Sequence, residues 1–371
     1  MRTRLAVTAL ALATAVTAGL AVPATAAGPD PVQQGLETLL RSTGAPGALA
    51  SVRDTKDGRD RTYTAGEGDR DTHAKMPRDG QVRIGSVTKT FTAVVVLQLV
   101  GEGRIRLDEP VETYLPNLVR GKGIDGNRIT VRQLLRHTSG LPDYEDDVTD
   151  DILERRYLSP RDALDVALRR EAVFVPGKDW GYSSTNYLAA GLMVEKVTGR
   201  PLAEEIDRRV IQRIGLSHTY FPAPGETTIR ERHPQGYRQD RPGTKPRNVT
   251  EIDPSASWAA GAMVSTTSDL DRFFSALLKA KDNILLDPAQ LNQMRTTVRV
   301  GDGYDMGLGI MRVQLSDKCV AWGHSGGIPG YGTWAGATDD GRAVGVTMTL
   351  EPRSNEAMKH LENVMKAGLC R

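Results

Sequence analysis

Ser86 and Lys89 stand three residues apart in Gly85-Ser-Val-Thr-Lys89, where residues 88–100 begin a run rich in apolar side chains. Phe91, Val94, Val95, Val96, Leu97 and Leu99 predict a helix there. Residues three apart on a helix share one face, about a turn from each other. A serine at a helix start feels the positive end of the peptide dipoles, which favours negative charge on its oxygen. A lysine whose charge is disfavoured by burial or a nearby cation can take that proton. The pair therefore predicts a nucleophile, Ser86, and its proton partner, Lys89. The alternative is a serine cap beside a solvated lysine. This is the only Ser-x-x-Lys in the chain, and it stands at the mouth of the most apolar helix.

Two further segments carry chemistry. Gly181-Tyr182-Ser183-Ser184 follows the turn signal Pro176-Gly177. A tyrosine hydroxyl near a lysine can carry a proton; the alternative is a turn tyrosine packed on the core. Gly323-His324-Ser325-Gly326-Gly327 lies between two predicted strands. A glycine-rich strand lets substrate approach the backbone, whose N–H groups can bind an oxyanion. The same five residues fit a Gly-x-Ser-x-Gly nucleophile elbow, which requires a helix next and a later acid and histidine. Residues 328–334 are glycine-rich and strand-like, and only His360 follows, which disfavours the elbow.

The elements that must position these segments fall into three blocks. Residues 32–40 read as a helix, and 47–52, 61–65 and 81–84 as strands. Helical patterns then dominate: 131–135, 160–168, 184–197, 203–211 and 268–278. Strand patterns return at 307–315, 319–323, 331–337 and 343–350, and a helix closes the chain at 354–367. Short turns between the late strands predict an antiparallel meander. The fold class is therefore α+β: an antiparallel sheet built from both chain ends (27–90 and 300–371), with a mainly helical region (91–299) inserted.

The 371 residues are 39% hydrophobic and 25% charged, which excludes a disordered chain, a collagen-like repeat and a polytopic membrane protein. Arg2 and Arg4, an uncharged run to Ala27 and the exit Ala24-Thr-Ala-Ala27 predict a secretory signal over 1–26, cleaved near Ala26. Thr, Ala and Pro23 argue against a lasting membrane anchor. Without Arg2 and Arg4 the charges balance, so no field favours nucleic acid. An exported chain with two cysteines predicts one disulfide, Cys319–Cys370. No metal-ligand spacing occurs, and no cofactor is expected.

Together these segments resemble the penicillin-recognising serine hydrolases, nearest to the D-alanyl-D-alanine carboxypeptidases and class C β-lactamase-like proteins. The resemblance covers nearly the whole chain after the signal. It rests on Arg83-Ile-Gly-Ser86-Val-Thr-Lys89-Thr-Phe91, Leu134-Leu-Arg-His137-Thr-Ser-Gly-Leu141, Tyr182-Ser-Ser-Thr-Asn-Tyr187, Ala259-Ala-Gly261 and Gly323-His324-Ser325-Gly326. It implies that Ser86 is acylated, that Lys89 takes its proton, and that Tyr182 serves the leaving group. It implies an oxyanion hole from the N–H groups of Ser86 and Gly327. His324, where many relatives carry lysine, would keep polar or positive character beside the site, and Ser325 would keep a hydroxyl. The segment containing His137 is expected to be structural. Trp258 is a candidate wall of the substrate pocket, and Arg312 a candidate anchor for a substrate carboxylate. Ser184 stands where the second motif normally ends in Asn, and a hydroxyl cannot offer the amide's paired donor and acceptor. The implied partners are small D-amino-acid or peptidoglycan stem peptides, with β-lactams as acylating mimics. The implied activity is a serine-type D-Ala-D-Ala carboxypeptidase. A β-lactamase-like esterase, a D-aminopeptidase and a non-catalytic wall-binding module remain the alternatives.

Overall fold

The computed structural model describes residues 29–370 apart from 56, 57, 242, 280 and 353; the expected export signal lies outside the described residues. Among the described residues nine strands form one antiparallel sheet. β1 (Gly47–Arg53), β2 (Asp60–Asp69) and β3 (Ala74–Lys75) precede the helical region. β4 (Val298–Gly301), β5 (Tyr304–Met306), β6 (Met311–Ser316), β7 (Cys319–Ile328), β8 (Tyr331–Ala337) and β9 (Ala343–Met348) follow it. The order across the sheet is β4-β5-β6-β7-β8-β9-β1-β2-β3. β1 closes against β9, with Ala48 opposite Met348 and Arg53 opposite Ala343, so the two ends of the chain share one sheet.

Among the described residues α1 (Pro31–Thr43), α4 (Thr267–Leu278) and α5 (Asn355–Leu369) pack on the sheet, and α2 (Thr88–Gly101) and α3 (Thr185–Thr198) pack together in the helical region beside it. α1 is amphipathic, and Asp30 caps it by accepting the Val32 N–H at 2.9 Å. Its Leu36 and Leu39 join Leu361 and Val364 of α5 in covering Val344, Val346 and Trp334 on one face of the sheet. α4 packs on β1, β8 and β9 from the other face. Both faces of the central strands are therefore covered, which is why β8 and β9 are buried along their whole length instead of alternating. α2 is apolar all round, and such a helix must be enclosed. It is wrapped by α3, α4 and the short helices, and the Phe91 ring stacks on Phe273 of α4 at 3.8 Å.

The structure departs from the sequence reading at the cleft-side edge. The strand expected at 307–315 begins only at Met311. Gly307 N–H bonds the Ile310 carbonyl at 2.8 Å, and Gly309 has φ +71°, so 307–310 is a turn. A Cβ on Gly309 would lie 2.4 Å from the Ala93 side chain, so the turn presses into α2. The strand expected to stop at 323 runs on to Ile328, which puts Gly323–Gly327 inside the sheet. β4 and β5 were not expected from the sequence. They form a hairpin around Asp302-Gly303, with Gly303 at φ +81°, and that dipeptide is the signal that marks them.

Cys319 and Cys370 are joined, tying the start of β7 to the end of α5 across a sequence separation of 51. Loop closure of that length removes about 4 kcal/mol of chain entropy from the unfolded state. A Cys319→Ser/Cys370→Ser variant is expected to lose stability of that order in denaturant titrations. An unchanged midpoint would show that the crosslink contributes nothing.

Candidate active site

The turn Gly85–Val87 leads into α2 as one 3₁₀ turn, held by the Ile84 N–H on the Met263 carbonyl at 3.0 Å. Its approach to β7 is too close for side chains. A Cβ on Gly85, at φ +51°, would lie 2.7 Å from the Gly327 oxygen; one on Gly326 would lie 2.0 Å from the Ile84 oxygen. Both positions require glycine, and the contact brings Ser86 and Gly327 to one cleft.

Lys89 is fully buried on the first turn of α2. Its Nζ donates to Ser86 Oγ at 3.0 Å, Ser184 Oγ at 3.2 Å and the Ala260 carbonyl at 2.9 Å. Thr92, one turn on, donates to the Ala259 carbonyl at 2.9 Å, so α2 grips two successive carbonyls of the Trp258–Gly261 helix. Nζ also lies 5.0 Å from the centre of the Tyr182 ring. Three acceptors satisfy an ammonium. A neutral amine keeps two donors on Ser184 and Ala260 and turns its lone pair to the serine hydroxyl. The site can therefore hold the nitrogen in either protonation state without rearrangement.

Ser86 opens into a cleft of about 490 Å³. Tyr182, His324, Ser325 and Gly327 line its polar side, and Trp180, Val300, Met306, Met311 and Met358 its apolar side. The edge hairpin, unexpected from the sequence, thus supplies part of the wall. His324 is buried, and its Nδ1 lies 2.6 Å from the Ser325 carbonyl. A carbonyl only accepts, so Nδ1 carries the proton and Nε2 offers a lone pair, with no hydrogen-bond partner in the structure. Burial above all, then the Lys89 charge, pushes its pKa down to about 4. The polar or positive character expected here is therefore narrowed to polar: His324 is a neutral acceptor at pH 7.

Two other expectations are corrected. Arg312 is turned from the cleft. Its strand neighbour Met311 lines the wall, while Arg312 pairs across the ladder with Asp305 at 3.2 Å and reaches Gln314 at 3.2 Å. Alternation along a strand sends the two side chains to opposite faces. Trp258 does not wall the cleft either. Its ring packs on α3, where a Cβ on Gly191 would lie 2.6 Å from it, and it lines a separate hollow of about 330 Å³. Asn186, two residues past Ser184, is occupied by Ser139 and the Ser183 carbonyl (3.0 Å) and does not replace the missing motif asparagine.

Sequence reasoning missed Asp143, whose Oδ2 accepts the Ser184 N–H at 3.1 Å. Burial, then Glu145, raises its carboxyl to about 6, although the Lys89 charge pulls it down. Its separation of 41 residues from Ser184 left no local signal. His137 is the second. It is fully buried, and its ring stacks on Tyr182 with centroids 4.4 Å apart.

A family model described as Beta-lactamase matches residues 32–368. The chain belongs to the beta-lactamase family. Among relatives of this beta-lactamase-family chain, penicillin-binding protein 4* of Bacillus subtilis is 26% identical over 80% of the chain and 67% of its own length. Esterase EstB of Burkholderia gladioli is 37% identical over 42% of each. Among solved structures, a D-stereospecific amidohydrolase from Streptomyces sp. superposes with a TM-score of 0.83 and 37% identity, over 92% of this chain and 98% of that one. A D-amino acid amidase from Ochrobactrum anthropi, complexed with L-phenylalanine amide, gives 0.79 and 26% over 91% and 97%. The chain is a serine hydrolase of the beta-lactamase and penicillin-binding family with an α+β fold.

The depressed His324 pKa ties stability to pH. The unfolded imidazole titrates near 6.5 and the folded one near 4, so the contribution is complete above 6.5 and is lost as pH falls through 4. His324 alone is expected to remove roughly 3 kcal/mol across that window. The denaturant midpoint should fall further between pH 7 and pH 4 for wild type than for His324→Asn; equal falls in both would contradict the assignment.

Proposed function

We propose that this chain hydrolyses amides or esters of D-amino acids bearing large apolar side chains, through an acyl-enzyme on Ser86. The observation that carries the choice is the chemistry of the cleft wall. Among its described residues no cationic side chain faces a substrate carboxylate: Arg312 is spent on Asp305, His324 is neutral, and Lys89 is committed to three acceptors below the floor. A peptide ending in a free carboxylate would enter such a wall with its charge unpaired. Trp180 and three methionines instead offer adaptable apolar surface. Ser184 in place of the motif asparagine removes the side-chain amide that would hold an acylated amino group, so a free amine fits better. The D-stereospecific amidohydrolase and D-amino acid amidase structures support the same reading. The carboxypeptidase alternative draws support from the penicillin-binding relative. An extracytoplasmic location is part of the proposal, favoured by the N-terminal sequence and the crosslink.

The residues divide the work as follows. Ser86 Oγ attacks the carbonyl carbon as Lys89, in its amine form, takes the hydroxyl proton. The backbone N–H groups of Ser86 and Gly327 receive the developing oxyanion. Tyr182 passes a proton to the departing amine or alcohol, and the C–N or C–O bond breaks. Lys89 returns the serine's proton to Tyr182; water then attacks the ester and gives up a proton to the same pair, the acyl C–O bond to Ser86 breaks, Ser86 Oγ regains a proton from that pair, and the free D-amino acid leaves.

Turnover of D-phenylalanine amide, its L-enantiomer, an N-acylated D-Ala-D-Ala peptide and nitrocefin tests the choice. The D-amide should exceed the peptide in kcat/KM by about 10-fold or more, the scale of one well-used apolar subsite. A preference for the peptide would move the function to carboxypeptidase. Ser86→Ala should abolish turnover and labelling by a fluorescent penicillin.

A further inference from the structure

His137 lies 45 positions before Tyr182 in sequence, yet it engages the tyrosine, the residue before it and the residue after it. Its carbonyl accepts the Gly181 N–H at 3.0 Å. Its Nδ1 accepts the Ser183 N–H at 3.2 Å. Its ring lies on the Tyr182 ring at 4.4 Å with 22° between planes. The other groups facing the Tyr182 ring are Lys89 Nζ, 5.0 Å from the centroid, and the His324 ring at 6.5 Å; the tyrosine is 38% exposed, and among the described residues no hydrogen bond fixes its hydroxyl. His137 adopts φ +62°, a backbone conformation that a side-chain-bearing residue seldom takes without cause.

The hydrogen bond fixes the chemistry of the ring. Accepting the Ser183 N–H leaves Nδ1 without a proton, so the neutral ring carries its proton on Nε2, which is buried without a partner. Burial first, then the charges of Lys89 and His324, hold the imidazole well below its usual pKa. Asn186 Nδ2, 3.3 Å from Nδ1, faces the same lone pair. The ring is therefore an acceptor and a flat, uncharged platform beside Tyr182 at neutral pH.

We propose that His137 is the positioning residue of Tyr182, clamping the backbone on both sides and fixing the phenol ring by stacking, so that the hydroxyl faces the space above Ser86. The proposal rests on Tyr182 as the proton carrier named above, and it assigns to the His137 segment a function where the sequence suggested only structure.

The test separates the two ideas. Wild type, His137→Asn, Tyr182→Phe and the double variant are compared for kcat and KM on D-phenylalanine amide, with His137→Phe as a second probe. His137→Asn keeps an acceptor and loses the platform; His137→Phe does the reverse. Either should lower kcat by about 10- to 100-fold, the cost of displacing a reacting group by an ångström, with KM within about 3-fold. In the Tyr182→Phe background the same change should cost less than about 2-fold, because the group it positions is gone. Equal losses in both backgrounds would overturn the proposal. The Tyr182 ring resonances, assigned by their absence in Tyr182→Phe, give a readout independent of activity. They should move on His137→Asn and stay close to wild type in His137→Phe; no movement in His137→Asn would overturn the positioning role. If Tyr182→Phe leaves kcat unchanged while the resonances still move, positioning stands and the proton-carrier reading falls.

Discussion

A buried lysine nitrogen with hydroxyls and a carbonyl around it, and no carboxylate in ion-pair contact among the described residues, is the constraint to which the rest of the structure answers. Lys89 draws Ser86, Ser184 and Ala260 to a single atom, and these come from three separate stretches of chain. Desolvating a charge is costly unless its hydrogen bonds are replaced, so all three partners must be delivered accurately. The enclosed helix α2 provides the depth. The threonines beside Lys89 provide the clamps: Thr88 accepts the Met263 N–H at 3.2 Å, and Thr90 donates to the Gly309 carbonyl at 2.8 Å.

The cleft forms where this helical region meets the sheet. The seam has room for backbone only, at Gly85, Gly326 and Gly309, and side chains begin immediately beside it. That arrangement sets a polar floor of hydroxyls and peptide N–H groups against an apolar wall drawn from β4, β5, β6 and α5. The crosslink holds the far end of α5 to β7, while its near end, at Asn355 and Met358, borders the cleft. The polar floor and the apolar wall thus belong to different parts of the fold, and the wall can vary without disturbing the hydrogen bonds around Lys89.

Much of this was legible in the sequence because it is local. Spacing of three on an apolar helix marked Ser86 and Lys89. Alternating strand and turn signals at both ends marked the sheet, and the glycines of 323–327 marked a close backbone approach. What stayed hidden is set by distance or by parity. Arg312 and Met311 differ by one position, and only the pairing of β6 with β5 decides which one faces the cleft. Trp258 lies beside the carbonyl that binds Lys89, yet its ring is turned to the back of α3. Asp143 and His137 reach the site across more than forty residues. The edge strands β4 and β5 are too short for their periodicity to register, although the Asp302-Gly303 turn was visible.

The central claim is that Lys89 receives the Ser86 proton during acylation. It is tested most directly by the pre-steady-state burst of p-nitrophenol from a D-phenylalanine p-nitrophenyl ester, in wild type and Lys89→Met. The methionine preserves most of the side chain's length and cannot accept a proton. With Lys89 as the acceptor, the acylation rate falls about a thousandfold while the fold persists. A burst within about 10-fold of wild type would contradict it and require another base for Ser86.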